Sequence, residues 1–134
     1  MSTAPSCLPP AMYWRLVVST PRVFPPLRTE LYNPLTGKWT LTGNMNVGRS
    51  DFGTAMLFNG KVLASGGTNV TLTTNTVLGS AELYDPNTGL WTKTGSLNLA
   101  RTGHTSTLLP SGLVLDASGS GATQDLRSAE VYTP

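Results

Sequence analysis

The 134-residue sequence predicts an all-β chain of short antiparallel strands, and three observations predict it. Composition is the first. Thr occurs 20 times, and β-branched residues favour strands. Fourteen Gly and ten Pro supply turns while staying below the roughly 25–30% of a disordered chain. The second is an internal repeat. Residues 29–67 laid over 81–119, an offset of 52, agree at 17 of 39 positions without a gap. Composition alone would give roughly two or three. The third is that turn residues punctuate both copies at matching places, between runs of strand formers.

In the first copy, residues 54–58 and 61–65 read as two strands around Asn59-Gly60, the strongest short hairpin signal. In the second, residues 80–84 alternate small and apolar side chains as a half-buried strand does. Asp85-Pro86-Asn87-Thr88-Gly89 is a turn: Pro presets φ, Asn and Asp cap locally, and Gly takes positive φ. Residues 90–94 close that hairpin, and 95–101 connect onward. Strands follow at 105–109 and 113–117 around Pro110-Ser111-Gly112. Residues 129–134 restart the pattern 48 positions after Ala81. No amphipathic helix is readable. The repeats therefore run 29–80, 81–128 and 129–134, and each unit supplies four short strands.

A period near 50 with four strands per unit is that of propeller blades. The Gly66-Gly67 doublet, the Tyr84 and Trp91 pair, the Asp85-to-Gly89 turn and Ala100-Arg101 with His104 resemble Kelch-repeat proteins of the galactose-oxidase-like, Kelch-type β-propeller group. The likeness covers residues 29–134. It implies an all-β, partial β-propeller of about two four-stranded antiparallel blades, an open arc and a fragment of a longer ring. A propeller needs about four blades, and a blade is apolar on both faces, so open faces predict self-association. The chain departs from the pattern at Ser118-Gly119, where a Gly-Gly doublet is expected, and at Asp116, which replaces an apolar strand residue.

Residues 1–28 do not match the repeat and read as an irregular Pro-rich leader. A one-base shift of reading frame across Met12-Tyr13-Trp14 permits Gly-x-Val-Leu-Ala-Ala-Gly-Gly, similar to Gly60 through Gly67. The leader is thus either a frame-shifted blade, a divergent leader or a polyproline ligand segment. It holds the one cysteine, Cys7, so no intrachain disulfide is available.

Charged residues are only 12%, yet Glu30, Glu82 and Glu130 recur, as do Arg49 and Arg101. A catalytic group would appear once; a residue that recurs per repeat reads as structural. Tyr32, Tyr84 and Tyr132 and the pair Trp39 and Trp91 recur likewise and are expected as buried wedges between blades. Gly66, Gly67 and Gly119 are expected where backbones approach closely. His104 stands where Phe52 stands in the other copy and reads as packing; Asp116 reads as decay of the repeat. Asn69-Val70-Thr71 forms a glycosylation sequon.

One histidine excludes a His/Cys metal cluster, and copper chemistry of the galactose-oxidase type needs more ligands than the chain holds. No Ser/His/Asp sequence signature or phosphate loop appears, so no enzyme and no cofactor are expected. Net charge +2 without a basic run argues against nucleic acid, and no apolar stretch reaches ~18 residues to span a membrane. The expected function is an interaction scaffold that binds a protein or carbohydrate partner through loops 68–79 and 119–127. The alternative is a catalytically incomplete fragment of a galactose-oxidase-like, carbohydrate-active protein. Compartment is not legible.

Overall fold

The computed structural model describes residues 28–134, so the leader, with Cys7 and Trp14, lies outside the described residues except for Arg28. Strands β1 (Glu30–Asn33) and β2 (Lys38–Leu41) form an antiparallel hairpin with Tyr32 opposite Trp39. Next come β3 (Gly53–Met56), β4 (Val62–Ser65), β5 (Thr68–Val70), β6 (Asn75–Val77), β7 (Ala81–Asp85) and β8 (Leu90–Thr94). Of these, β3-β4-β7-β8 make one four-stranded antiparallel sheet, and β5-β6 a separate small hairpin. The last three, β9 (Thr105–Leu108), β10 (Val114–Ala117) and β11 (Ala129–Tyr132), form a three-stranded sheet in the order β9-β10-β11.

No helix occurs among the described residues, and no sheet closes on itself. The described strands form an open arc consistent with a partial propeller: two strands of one blade, a full blade, then three strands of another. The two larger sheets cross the sequence period. The complete blade takes β3 and β4 from one repeat and β7 and β8 from the next.

Alternation along β4 explains how the blades stack. Successive side chains of a strand point to opposite faces. Val62 and Ala64 therefore join Met45, Tyr84 and Trp91 in one apolar core, against Leu31 and Phe52. Leu63 points the other way, into a second core with Ala55, Leu57, Ala81 and Val114, against Leu108 and Tyr132. All four residues of β4 are buried, as a strand covered on both faces requires.

The turns form by the chemistry their residues predict. Gly89 N–H donates to the Asp85 carbonyl at 2.8 Å, and Asn87 N–H to the Asp85 carboxylate at 2.9 Å. The other copy does the same, with Gly37 on Asn33 O at 2.8 Å and Leu35 N–H on Asn33 Oδ1 at 2.9 Å. Two expectations change. Segment 68–79 is not a plain loop: it contains the β5–β6 hairpin, because Thr68, Val70, Thr76 and Val77 are strand formers around the Thr71–Thr74 turn.

The second change concerns the aromatic pairs. They occupy equivalent cross-strand positions, with ring centroids 5.0 Å apart for Tyr32 and Trp39 and 5.2 Å for Tyr84 and Trp91. Their burial differs: Trp91 is 8% exposed and Trp39 is 39%. Trp91 is covered by the first hairpin, and its indole N–H donates to Thr29 Oγ1 at 3.0 Å. Trp39 joins neither buried core. Trp91→Ala should thus destabilise the fold by about 3–5 kcal/mol, the cost of emptying a packed aromatic site. Trp39→Ala should cost clearly less in the same urea titration. Equal losses would mean that both rings are buried alike.

Candidate interaction surface

Antiparallel order sends the β3–β4 and β7–β8 turns to one end of the blade. The β4–β7 and β8–β9 connections go to the other. That second end carries segments 68–79 and 119–127, and beneath it lie the recurring charges.

Arg49, in the connection from β2 to β3, is fully buried. Its Nη1 donates to the carbonyls of Gly66 at 2.7 Å and Ser80 at 2.8 Å. Its Nη2 donates to Ser80 Oγ at 3.2 Å and Glu82 Oε1 at 3.1 Å. Glu82, also fully buried, accepts from the backbone N–H of Asn46 at 2.8 Å and of Val47 at 2.9 Å. The Asn46 side chain donates to Glu82 at 2.8 Å and to the Trp91 carbonyl at 3.1 Å. One ion pair thus joins the connection before the blade to the two chain segments that leave and re-enter its far end.

The next blade repeats the pattern. Arg101 donates to the carbonyls of Ser118 at 2.9 Å and Ser128 at 3.0 Å and meets Glu130 at 2.8 Å. Glu130 accepts from Asn98 N–H at 2.6 Å and Leu99 N–H at 3.0 Å. Glu30, which recurs in sequence, makes no ion pair among the described residues. Burial pushes the Glu82 carboxyl up, but donors from Asn46, Val47 and Arg49 outweigh it and hold the group below the ordinary carboxylate range. Glu130 is lowered by the same balance.

Above the clasps the connections of adjacent blades are knitted together. Gly67 N–H donates to Arg101 O at 2.8 Å, Thr68 pairs with Ser50, and Thr102 pairs with Ser120. Gly66 and Gly67 hold φ of +62° and +91°. A Cβ on Gly67 would stand 2.6 Å from Ser50 O, so both backbone conformation and space select glycine there. In the second copy Ser118 adopts the same left-handed conformation at φ +59°, beside Gly119 at +87°.

Both long connections are closed in the same way, by Leu78 N–H on Gly67 O and Leu126 N–H on Gly119 O, each at 2.8 Å. The second is four residues shorter, which accounts for the change of sequence period from 52 to 48. What they expose differs. The β5–β6 hairpin presents Val70, Leu72 and a cluster of threonines, with Leu72 77% exposed. The second presents Gln124, Asp125 and Arg127 around half-buried Leu126. Within the sequon, Asn69 is half-buried and its Nδ2 donates to Gly48 O at 2.6 Å, so the atom a glycan would use is committed.

His104 and Asp116 lie between the complete blade and the next sheet, both buried. Asp116 accepts a hydrogen bond from the Ser106 hydroxyl. Ser65 Oγ contacts His104 Nε2 at 3.2 Å and Ser106 Oγ at 3.3 Å. This is not a hydrolytic triad, because serine and carboxylate both address Nε2 while Nδ1 has no partner. Burial lowers the His104 pKa from its ordinary value, Asp116 opposes the shift, and Arg101 adds to it. Among the described residues no group of three or more His, Cys, Asp or Glu side chains could hold a metal.

Residues 52–98, which span the complete blade, match the family model described as the Kelch motif. An F-box/kelch-repeat protein of Arabidopsis thaliana is 43% identical over 70 residues, 52% of this chain and 15% of that protein. Kelch-like ECH-associated protein 1A of Danio rerio is 36% identical over 72 residues, 54% of this chain and 12% of that protein. Spermatocyte protein spe-26 of Caenorhabditis elegans is 35% identical over 75 residues, 56% and 12% respectively. The matched spans are thus less than a sixth of the length of these relatives.

Arg49→Met should cost about 3–5 kcal/mol by leaving Glu82 buried without its cation. Adding Glu82→Gln to that variant should cost less than the two single losses summed, which a double-mutant cycle in urea measures. A purely additive cycle would sink the coupling of the two groups.

Two stability slopes with pH follow from the lowered pKa values. Glu82 stabilises the fold above its unfolded value of about 4.3, and that contribution disappears as pH falls through its lower folded value. Glu82→Gln should flatten stability in that acid window. His104 works nearer neutrality: below about 6.5 the unfolded chain binds the proton first, so stability falls with falling pH. His104→Phe should remove the slope just below pH 6.5, as followed by thermal midpoint against pH.

Proposed function

We propose that this chain, a Kelch-repeat protein, is an interaction scaffold whose partner is another protein, met at the end of the blades that carries segments 68–79 and 119–127. One observation carries the reading. Two structurally equivalent connections share the same buried anchors and the same closing hydrogen bond, yet differ in length and in every exposed side chain at their tips. A rigid base beneath variable loops is how binding surfaces are ordinarily built. The relatives support a protein partner: one is named for its association with ECH, and another pairs its Kelch repeats with an F-box.

In this reading the recurring residues Arg49, Arg101, Glu82, Glu130, Gly66, Gly67 and Gly119 and the Tyr–Trp pairs are structural. Repeats run 29–80, 81–128 and from 129 onward, with blades offset from them. The chain performs no reaction of its own. A carbohydrate partner is the competing reading; it lacks an exposed aromatic platform at this end, since Leu72 and Leu126 are aliphatic.

A photo-crosslinking amino acid placed at Leu72 or Gln124 should form protein adducts in cells. The same group at Leu35 or Phe58, exposed at the opposite end, should form few. Equal labelling at both ends, or binding on a glycan array without protein adducts, would overturn the reading.

A further inference from the structure

Two segments of the chain share the form Thr-Gly-x-(Met/Leu)-Asn-(Val/Leu)-(Gly/Ala)-Arg: Thr42 to Arg49 and Thr94 to Arg101. Each leads from one sheet toward the next and meets the same groups there. The Thr42 and Thr94 hydroxyls share hydrogen bonds with the Tyr84 and Tyr132 hydroxyls at 2.6 and 2.8 Å. Asn46 and Asn98 each give a backbone N–H and a side-chain N–H to Glu82 and Glu130. Val47 and Leu99 add a second backbone N–H, and Arg49 and Arg101 bring the cation. In the first copy Met45 also packs in the core that holds Trp91. One short segment thus recognises a Glu and a Tyr on the strand it meets, and a Trp on the neighbouring strand.

Hairpin β1–β2 presents the same three groups without such a segment. Tyr32 sits opposite Trp39 as Tyr84 sits opposite Trp91, and Glu30 precedes Tyr32 as Glu82 precedes Tyr84. Alternation puts Glu30 and Tyr32 on one face of β1 and Leu31 on the other. Leu31 packs against the core shared with the complete blade, so Glu30, Tyr32 and Trp39 face the open end of the arc. All three are accessible: Glu30 and Tyr32 are half-buried, Trp39 is 39% exposed, and Leu41 opposite Glu30 is 64% exposed. Among the described residues neither the Glu30 carboxylate nor the Tyr32 hydroxyl has a hydrogen-bond partner. Both Asn-x-x-Arg sequences of the chain are in use at Glu82 and Glu130, and residues 1–28 contain no asparagine.

We propose that the open face of hairpin β1–β2 docks, in trans, a connecting segment of another polypeptide with the form Thr-Gly-x-(Met/Leu)-Asn-(Val/Leu)-(Gly/Ala)-Arg. Its Asn and Arg close on Glu30, its threonine hydroxyl meets Tyr32, and its Met or Leu covers Trp39. Continuity argues for this occupant, since the same segment meets the equivalent Glu and Tyr at both interfaces inside the arc. Glu30 selects a cation and aimed N–H donors, and charge-assisted bonds of this kind are the stronger ones. Trp39 and Leu41 supply apolar area to be removed from water. Arg28 stands where Ser80 and Ser128 stand, so the incoming arginine loses one hydroxyl partner and the asparagine matters more. This face is separate from segments 68–79 and 119–127 and does not depend on what they bind.

The test titrates the full chain with the end-blocked peptide Thr-Gly-Ser-Leu-Asn-Leu-Ala-Arg, the sequence of residues 94–101. It follows the indole N–H resonances of the tryptophans and measures affinity by calorimetry. The Trp39 resonance, assigned by its loss in Trp39→Phe, should move in one saturable step while that of Trp91 stays. A scrambled peptide of the same composition should move neither. Alanine at the peptide asparagine, or Glu30→Gln in the chain, should weaken binding by roughly tenfold or more, the worth of hydrogen bonds to a charged group. Trp39→Ala, whose ring lies outside both buried cores, should weaken it as well. An unmoved Trp39 resonance, a response equal to that of the scrambled peptide, or unchanged affinity in folded Glu30→Gln would overturn the proposal. So would a shift at Trp91, which would show the peptide invading the internal clasp. A Trp39 resonance that follows protein concentration but not peptide would place a second copy on this face and overturn it too.

Discussion

The fold depends on a guanidinium buried under each pair of blade connections. A four-stranded blade must send its chain out from β4 and back into β7, and the turn there leaves the carbonyls of Gly66 and Ser80 pointing inward. Neither carbonyl has a strand partner for that lone pair. Arg49 reaches both with one nitrogen and uses the other on Glu82, which in turn satisfies the N–H groups of Asn46 and Val47. Replacing a buried ion pair by apolar side chains is often neutral or stabilising elsewhere. Here it would orphan the Gly66 carbonyl and two amides at once and leave Ser80 O with only the Gly66 N–H, so the pair is better understood as backbone satisfaction than as Coulomb attraction. Arginine suits that task because its planar fork carries five donors and stays charged when buried.

Such a clasp separates the frame from the surface. Everything below Gly67 and Leu78 is fixed by register and clasp; Thr68 and Asn69 are still tied to Ser50 and Gly48, whereas residues 70–76 answer to their own hairpin. The closing bond of Leu78 to Gly67 and that of Leu126 to Gly119 are alike at 2.8 Å, while the enclosed segments differ by four residues. Loop closure tolerates such changes because its entropic cost grows only slowly with length. The stem of each loop is conformationally expensive, with left-handed Gly66, Gly67, Ser118 and Gly119. That cost lies in the frame, and the tips can vary without adding to it.

The strands and the hairpin turns were legible because each rests on local chemistry: alternation in residues 80–84, Asn-Gly at 59–60, and the Asp85-to-Gly89 turn. Recurrence alone also marked Arg49, Arg101, Glu82 and Glu130. What the sequence could not disclose is burial that depends on a neighbour. Trp39 and Trp91 hold equivalent places in the repeat, yet only Trp91 is roofed by another hairpin. The β5–β6 hairpin was hidden because Thr71 to Thr74 carries turn chemistry that reads equally as an irregular loop. Asp116 reads as decay in the sequence because its donor Ser106 lies 10 positions away and becomes a neighbour only through the β9–β10 register.

The contrast between the two interfaces shows what the repeat constrains and what it leaves free. Backbone geometry at Phe52 and His104, or at Ala64 and Asp116, is set by the same connections and the same strand pairing. Side-chain chemistry at those positions is not. An apolar interface is stabilised by removing surface from water, without direction. A polar one is stable only if each buried group finds a partner, which ties four residues on three strands and a connection to one another. The second interface adds this four-residue polar cluster to the apolar core of Ala55, Leu57, Leu63, Ala81 and Val114. Gly53 marks the commitment, because any side chain there would collide with Ser106 and His104, whereas its counterpart Thr105 is exposed and carries one freely.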